Sequence, residues 1–498
     1  MRLPLFEQTG IEDAPEVSNA LTQNLIPHLP EQSKAQMVLY GTPGLKESTF
    51  INTIGEIRGS IVYGDEYYCV AGDKVYRINS EGVIENPPAG GGLIGNLFWI
   101  GTLRTDKGPV SMAHNGSNNG KEICIVDGDH LYIIVLSDAG SVMFDINDPL
   151  GSRFDANAPT GSTHVVYFDS YFIINDPSNS GRFYVSKPYD GQTWVALSFA
   201  TAERSPDELQ SIVASDKILF LIGTKTAEMW YNAGISGGVP FKPMQSGFMQ
   251  WGTIAKHSPE EISGVVFWLT QNDEGSGMIV KSSGTAPEIV STPAVASQLQ
   301  KIDKEFLEEA ISWSYQHNQH TYYVLTIPRG DLTLVYDLST KKWHTWRTES
   351  TGCHRATCHS YVYGKHLVGD SQSSTIMELD WDYYFDMDET IVRLRRTGPI
   401  SDEGAVLIHN GIELSAKTDV GNDDVTEPKI HLRWYDNKGW SNWHTRSMGV
   451  NYSGRKKLAW RGLGKSTERV YEFKITDPVD TVLIDSYALL KKGRVFGG

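Results

Sequence analysis

The chain contains 498 residues, a length that accommodates two or three domains of ordinary size. No stretch approaches the roughly 18 consecutive apolar residues of a membrane span, and the first residues lack the basic and apolar regions of a secretory signal. The formal net charge of −16 argues against a general phosphate-binding surface, because affinity for nucleic acid usually comes from Lys and Arg. We therefore expect a protein without a membrane anchor that is made in a cytoplasm.

The composition indicates an all-β protein. The chain has 48 glycines, 23 tyrosines and 13 tryptophans with only 40% hydrophobic residues, a balance common in proteins with tight turns and half-buried aromatic strands. The four cysteines are too few for a disulfide scaffold in a chain of this length. Cys69 and Cys124 lie within apolar runs typical of strands, so we interpret them as reduced core residues.

Residues 1–50 are predicted to form an extended segment that leads into a repeat. The fullest copy of the repeat spans 59–78 and contains a strand, a turn, an apolar strand, a Gly-Asp turn and a third strand, which is a meander of hairpins. Further copies lie at 110–133, 165–174 and 212–231, with weaker copies at 265–269, 322–325 and 361–368. Their central strands recur about every 43–57 residues.

Units of three or four short strands at this spacing are typical of a β-propeller, in which each blade is a small sheet packed against its neighbours. We predict a propeller over 51–383 with about seven blades, and six are possible because the seventh unit is short. Apolar residues at helical spacing predict a helical insertion near 293–312. After residue 383, alternating strands ended by Asp, Gly or Pro predict a small β-sandwich over 384–498.

Cys353, His354, Cys358 and His359 form a candidate metal site, because thiolates and imidazoles are the usual zinc ligands. In a strand, however, Cys353 and Cys358 would face opposite sides of the sheet. The same-face pair His354 and Cys358 would lie about 13 Å apart at roughly 3.3 Å per residue. We therefore expect an ordinary strand and no metal.

The carboxylate-rich segment 380–389 is a second candidate, because Ca²⁺ prefers alternating oxygen ligands around a glycine turn. Its carboxylates belong to Asp380, Asp382, Asp386, Asp388 and Glu389. The segment contains no glycine, and three bulky aromatic residues occupy its centre. We expect a solvated linker or a subunit-contact strip instead of a cation site.

Propellers also carry glycosidases, whose paired carboxylates flank one bond. The turn at 435–440 is similar to the Asp-box of sialidases, but it occurs once, lies outside the predicted propeller and has a different Asp-to-Gly spacing. No nucleophile elbow, P-loop, HExxH or kinase signature is present in the sequence. We predict no catalytic residue, no cofactor and no enzymatic activity, with a propeller glycosidase as one alternative.

Three parts of the sequence resemble the tail accessory proteins of short-tailed bacteriophages, which are also called packaged-DNA stabilisation, hub or nozzle proteins. They are Asn-Leu-Ile-Pro at 24–27 with Gly-Thr-Pro-Gly-Leu at 41–45, Val-Ser-Met-Ala-His at 110–114, and the C-terminal stretches 458–464 and 469–476. Together with the order of the blades, the resemblance spans nearly the whole chain. A longer N-terminal segment and the acidic segment 380–389 depart from the family's pattern.

The resemblance implies a structural protein of the virion tail, assembled in the host cytoplasm. The family forms a ring, expected to be a homohexamer, that docks beneath a portal-adaptor complex and extends the DNA channel. Such a ring helps retain packaged DNA and passes it at ejection without sequence-specific binding, and a tail needle, plug or tailspike protein lies below. A receptor-binding adhesin of the tail is the second alternative.

Charge leads to one further expectation. A wall rich in Lys and Arg would hold DNA phosphates, so we expect an acidic or neutral channel surface. Basic residues such as Arg393, Arg395 and Arg396 are then expected to face protein partners.

Overall fold

The computed structural model describes an all-β chain, which confirms the predicted fold class. The described residues are 2–6, 20–30, 37–51, 53–80, 92–94, 97–116, 120–137, 140–202, 207–235, 238–271, 275, 277–284, 286–450 and 458–493. They contain two short α-helices and one 3₁₀ turn. Within these ranges no helix has the length and apolar character needed to cross a membrane.

The first five strands form no domain of their own: β3 pairs with β4, and the other four pair with strands much later in the chain. They are β1 Arg2–Pro4, β2 Leu21–Gln23, β3 Leu25–His28, β4 Val38–Gly41 and β5 Gly44–Phe50. Asn24 separates β2 from β3 and has a φ of 52°, a left-handed conformation that asparagine tolerates better than most residues. The chain therefore turns sharply between these two strands.

Blades one to three are antiparallel meanders that follow one another along the chain. Blade one contains β6 Ile57–Tyr63, β7 Glu66–Ala71, β8 Lys74–Ile78, β9 Gly92–Ile94 and β10 Leu97–Thr102. Blade two contains β11 Ser111–His114, β12 Glu122–Val126, β13 Leu131–Ser137 and β14 Gly140–Asp145. Blade three contains β15 Val165–Phe168, β16 Tyr171–Asn175, β17 Arg182–Lys187 and β18 Asp190–Thr201.

Blades four to six repeat this arrangement. Blade four contains β19 Leu209–Ser215, β20 Ile218–Gly223, β21 Ala227–Asn232 and β22 Phe241–Met249. Blade five contains β23 Glu260–Ile262, β24 Val265–Gln271, β25 Gly277–Ser282 and β26 Glu288–Ile289. Blade six contains β27 Ile311–His317, β28 His320–Ile327, β29 Leu332–Asp337 and β30 Lys342–Thr345, with a 3₁₀ turn at Pro328–Gly330.

Two helices, α1 Pro293–Gln300 and α2 Lys304–Leu307, lie between blades five and six. The Thr292 hydroxyl accepts a hydrogen bond from the Val295 N–H and caps α1, a role that threonine often has at a helix N-terminus. Val295 and Leu299 pack into the core that blades five and six share. The helical insertion thus fills the space between two blades.

Blade seven contains β31 Ala356–Val362, β32 Lys365–Asp370 and β33 Thr375–Asp380, and β5 supplies its fourth strand. β5 runs antiparallel to β33, with Phe50 opposite Thr375 and Gly44 opposite Asp380. The short strands β34 Phe385–Asp386 and β35 Glu389–Thr390 extend this sheet beyond β5. Six blades are therefore built from consecutive strands, and a seventh sheet closes the ring by taking an N-terminal strand.

The first strands of neighbouring blades contact one another around the ring, from β6 through β11, β15, β19, β23 and β27 to β31, which returns to β6. Apolar side chains fill the spaces between the sheets. Tyr68 of blade one packs with Ile123 of blade two, and Ile57 of blade one packs with Leu367 of blade seven. Because both faces of a blade are covered, central strands such as β12 are buried along their whole length.

The C-terminal domain is a β-sandwich. Its later strands are β36 Arg393–Arg396, β37 Ile400–Ser401, β38 Leu407–Ala416, β39 Lys429–Asp436, β40 Gly439–Trp440, β41 His444–Ser447, β42 Leu458–Arg461, β43 Lys465–Ser466, β44 Glu468–Ile475 and β45 Val482–Lys492. One sheet has the order β3-β4-β45-β38-β42, and the other has the order β2-β36-β44-β39-β40. Leu39, Ile412, Trp460 and Phe473 lie in the core of the sandwich.

Strand β2 joins the two domains. Gln23 lies opposite Thr345 of β30 in a parallel pairing, and the other edge of β2 pairs with β36. Blade six and one sheet of the sandwich are therefore hydrogen-bonded through a single strand.

The structure corrects two predicted boundaries. Residues 1–50 do more than lead into blade one, because β1, β3 and β4 belong to the sandwich and β5 completes blade seven. The sheet of blade seven runs to Thr390, past the predicted boundary after residue 383. Pairing between strands more than 300 residues apart leaves no local pattern, so periodicity alone did not indicate it.

Leu45 provides a test of closure by β5. Its side chain is fully buried in the core between blades six and seven. Leu45→Ala should lower the free energy of unfolding by about 2–5 kcal/mol, since it removes buried methyl groups and leaves a cavity. Urea unfolding followed by tryptophan fluorescence measures this change.

Lys46→Ala is the matched control, because the Lys46 side chain on the same strand is 52% exposed and should cost about 1 kcal/mol or less. Removal of residues 1–50 should abolish the cooperative transition of the propeller. Equal urea midpoints for Leu45→Ala and the unmodified protein would show that β5 is dispensable for closure.

Candidate functional site

Residues 20–30, named the N-terminal strap, lie against both blade six and the sandwich. The buried Asn24 side chain donates hydrogen bonds to the carbonyl oxygens of Arg347 at 2.8 Å and Val392 at 3.0 Å. Its side-chain oxygen accepts a bond from the Arg347 N–H at 2.8 Å. Asn24 therefore fastens the segment after blade six to the residue that precedes β36.

The structure corrects the expectation that Arg393 and Arg395 face protein partners. Arg393 and Arg395 are only 1% and 0% exposed. Burial lowers the pKa of both guanidinium groups to about 10. Arg395 donates a hydrogen bond to the Thr22 hydroxyl at 2.8 Å. Gly41 leaves room for the Arg393 side chain, since a Cβ atom at position 41 would lie 2.8 Å from Nε of Arg393.

Arg396 belongs to a layer of arginine and tryptophan side chains on the outer face of the sandwich. The fully buried Glu472 carboxylate accepts hydrogen bonds at 2.6 Å from Arg396 on one oxygen and Arg433 on the other. The guanidinium carbon of Arg433 lies 4.2 Å from the centre of the Trp440 ring and 4.4 Å from that of Trp443. The Glu472 carboxylate offsets part of the positive charge of the two arginines, and Arg433 covers one face of each ring, which favours a stiff sheet over an open sugar platform.

A cavity of about 790 Å³ opens where the first strands of the blades begin. Its charged lining residues include Glu56, Lys107, Lys256 and Glu308 from several blades. In its wall, Arg58 donates to backbone carbonyl oxygens at 2.6–2.9 Å; these belong to Gly72, Thr105, Lys107 and Gly108. The backbone thus holds this charge in place.

Two carboxylic acids have strongly raised pKa values, a property often found in catalytic acids. Burial raises the pKa of Glu260 and of Asp386 to about 7. Glu260 accepts a hydrogen bond from the Ser314 hydroxyl at 2.9 Å, and Asp386 accepts one from the Thr348 hydroxyl at 3.0 Å. They lie in blades five and seven and do not form an acid and base pair.

The structure separates the cysteines and histidines of 353–359. Cys353 and His354 precede β31, where burial raises the pKa of the thiol to about 11 and lowers that of the imidazole to about 3. Cys358 accepts a bond from the Ser60 hydroxyl at 3.4 Å, while His359 Nε2 lies 3.1 Å from Nδ1 of His366. In the described part of the chain, no three His, Cys, Asp or Glu side chains are grouped so that they could hold a metal ion.

Segment 380–389 folds onto blade seven, which corrects its interpretation as a solvated linker. Asp386 is 4% exposed, and the Tyr383 hydroxyl donates to the Met387 carbonyl oxygen at 2.8 Å. A carboxylate oxygen of Glu389 accepts a bond from the Ser350 N–H at 3.0 Å. The acidic composition did not predict the short strands β34 and β35, because Asp386 occupies a buried position that an apolar residue usually takes.

The turn at 435–440 connects β39 and β40. Asp436 accepts hydrogen bonds from the Lys438 N–H at 3.0 Å and from the buried Arg469 guanidinium at 2.8 Å. Asp436 therefore fastens the turn to β44.

Sequence reasoning missed the contacts of Asn24 and the Glu472 layer. In the sequence, Asn24 stands only as part of a short motif. An asparagine before an apolar-Pro pair is nevertheless compatible with a left-handed turn. Glu472 stands in an alternating strand, and nothing local indicates that its partners are Arg396 and Arg433 on two other strands.

Comparisons with known proteins agree with this architecture. Residues 1–384 match the family described as "Bacteriophage P22 Gp10, beta-propeller". No curated protein matches the chain.

Several solved structures are similar at low identity. The computationally designed Ika8 protein is 10% identical, covers 75% of this chain and 100% of its own, and has a TM-score of 0.37. The N-terminal domain of Nup159 is 8% identical, covers 72% and 99%, and has a TM-score of 0.38. An exo-beta-1,3-galactanase from Phanerochaete chrysosporium is 11% identical, covers 90% and 100%, and has a TM-score of 0.30. At these identities and TM-scores, the similarities give no information about the function of this chain.

The family match covers the strap and the seven blades through β33, and it agrees with the resemblance carried by 24–27, 41–45 and 110–114. The chain therefore belongs to the bacteriophage P22 Gp10 β-propeller family and is a structural protein of the phage tail.

Proposed function

We propose that the chain is the repeating subunit of a ring in the tail, where it extends the DNA channel below a portal adaptor. The ring helps retain packaged DNA and passes it at ejection. The observation that carries this proposal is the family match over residues 1–384, which contains all seven blades through β33. We take six copies as the expected number.

A ring subunit must keep its two domains in a fixed relation while DNA moves past. Strand β2 supports this role, because it pairs with blade six on one edge and with the sandwich on the other. Asn24 adds side-chain bonds across the same junction. Relative motion of the domains would break these hydrogen bonds.

The distribution of charge supports passage of DNA without binding. The net charge is −16, and many arginines are withdrawn from the surface or paired with carboxylates. Arg58, Arg393, Arg395 and Arg469 are buried, and Arg355 is bound to Asp370 at 2.6 Å. Few guanidinium groups are therefore available to displace counterions from phosphates.

The first prediction concerns assembly. Native mass spectrometry of the purified chain, alone and mixed with the portal-adaptor complex, should detect a species of six copies of 55.4 kDa. A ring with a different number of subunits would correct the expected copy number of six. A chain that stays monomeric in both samples, and that is absent from the channel in electron micrographs of the virion, would contradict the proposed function.

The second prediction concerns DNA. The assembled ring should bind a fluorescent duplex with a Kd no tighter than about 10⁻⁴ M near physiological salt, because each chain carries a net charge of −16. Fluorescence anisotropy measures this affinity. Tight binding that weakens steeply with added salt would show that the wall holds DNA.

The third prediction concerns catalysis. The purified chain should hydrolyse neither glycans nor esters, since its raised-pKa carboxylic acids lie in separate blades. Asp436→Asn should leave the product at background level and lower only stability, because Arg469 loses its ionic partner. If the unmodified chain hydrolysed a glycan and Asp436→Asn abolished that activity, the result would support the glycosidase alternative.

A further inference from the structure

Five histidines lie together where the sandwich, blade six and blade seven meet. His28 is the last residue of β3, His317 and His320 flank the β27–β28 turn, and His359 and His366 lie on β31 and β32. They represent five of the 14 histidines of the chain, and they come from three separate parts of the fold.

The five rings form two groups of contacts, His28 with His320, and His317 and His359 with His366. His28 Nδ1 lies 3.0 Å from His320 Nε2, and His359 Nε2 lies 3.1 Å from His366 Nδ1. The ring centres of His317 and His366 are 6.0 Å apart, and the pKa of His317 is lowered mainly by burial, with a smaller contribution from His320. Each close pair is compatible with neutral rings, in which one nitrogen donates and the other accepts.

Few anions face this cluster. Asp337 Oδ2 lies 2.7 Å from His320 Nδ1, and its carboxylate already accepts bonds from the Ser339 N–H and the Thr340 hydroxyl. Glu378 on β33 faces His366 and is bound to Lys365 at 2.8 Å.

The remaining neighbours of the cluster are aromatic: Tyr40 against His28, Tyr315, Tyr322 and Tyr361 beside the blade histidines, Trp313 stacked on His359, and Trp381 stacked on His317 at 4.6 Å. One more titratable group, His344 on β30, faces His320 and Asp337, and burial lowers its pKa to about 3. Among the described residues, the carboxylate within hydrogen-bond reach of the cluster is that of Asp337. A second or third added proton would therefore lack a counter-ion.

We propose that this cluster is an acid-sensitive seam, which holds β3 and blades six and seven together at neutral pH and loosens them in mildly acidic solution. The closed seam requires adjacent imidazoles to be neutral. An opened seam separates the rings and lets water solvate each charge.

The sign of the pH dependence follows from the pKa shifts. Burial lowers the pKa of His28, His317 and His366, and it lowers that of His359 to about 3. The same rings in an open state titrate near 6.5. Below about pH 6.5 the open state binds more protons than the closed state, so stability of the seam is complete above that pH and declines as the pH falls.

Hydrogen exchange with mass spectrometry, corrected for the intrinsic rate at each pH, tests the proposal on the full chain. Each histidine that takes up a proton only in the open state raises the opening equilibrium about tenfold between pH 7.5 and 5.5. We expect at least tenfold faster exchange in β3, the β27–β28 hairpin and the β31–β32 hairpin. Blades two to four should change much less.

The double variant His28→Gln/His366→Gln should lose most of this acid response, since glutamine keeps a donor and an acceptor but does not titrate. His444→Gln, at an exposed position on the sandwich, is the matched control and should respond like the unmodified chain. If the double variant does not fold, the localisation of exchange in the unmodified chain decides the question. Uniform exchange across all blades, unchanged exchange down to pH 5.5, or a full acid response in the folded double variant would each overturn the proposal.

Discussion

The antiparallel pairing of β5 with β33 is the interaction on which the rest of the structure depends. A propeller buries its core only when the last blade meets the first, and blade seven has three strands of its own. β5 brings the fourth, together with the buried Leu45. Because β5 follows β3 and β4 directly, the same closure also places the N-terminal strands in the sandwich.

The second general feature is the internal use of charge. Arg393 and Arg395 lie in the interior, Glu472 is enclosed by two arginines, and Asp386 is buried with a raised pKa. Such groups gain little stability over apolar residues, but removal of one partner leaves an uncompensated charge. They therefore specify which strands meet.

Local sequence patterns predicted what local physics determines. Apolar strands such as β7 and β12, separated by Gly-Asp turns, indicated the repeated meanders, and helical spacing indicated α1. Long-range pairing was not predictable in this way. The partner of β5 lies more than 300 residues away, and the arginines on β36 looked like surface residues because alternation does not reveal which face is buried. The histidine cluster was not predictable from the sequence for the same reason, because its residues are scattered along the chain.

Closure by β5 has a consequence for synthesis. The ribosome releases β5 before any blade is complete, and β33 emerges only after roughly 330 further residues. At about 5–20 residues per second, the strand waits on the order of tens of seconds with its edge unpaired. During that interval the six consecutive blades are able to form, but the ring has to remain open. β5 is thus made before the blades and incorporated after them, so a nascent chain stalled before residue 375 exposes an uncovered face of blade one.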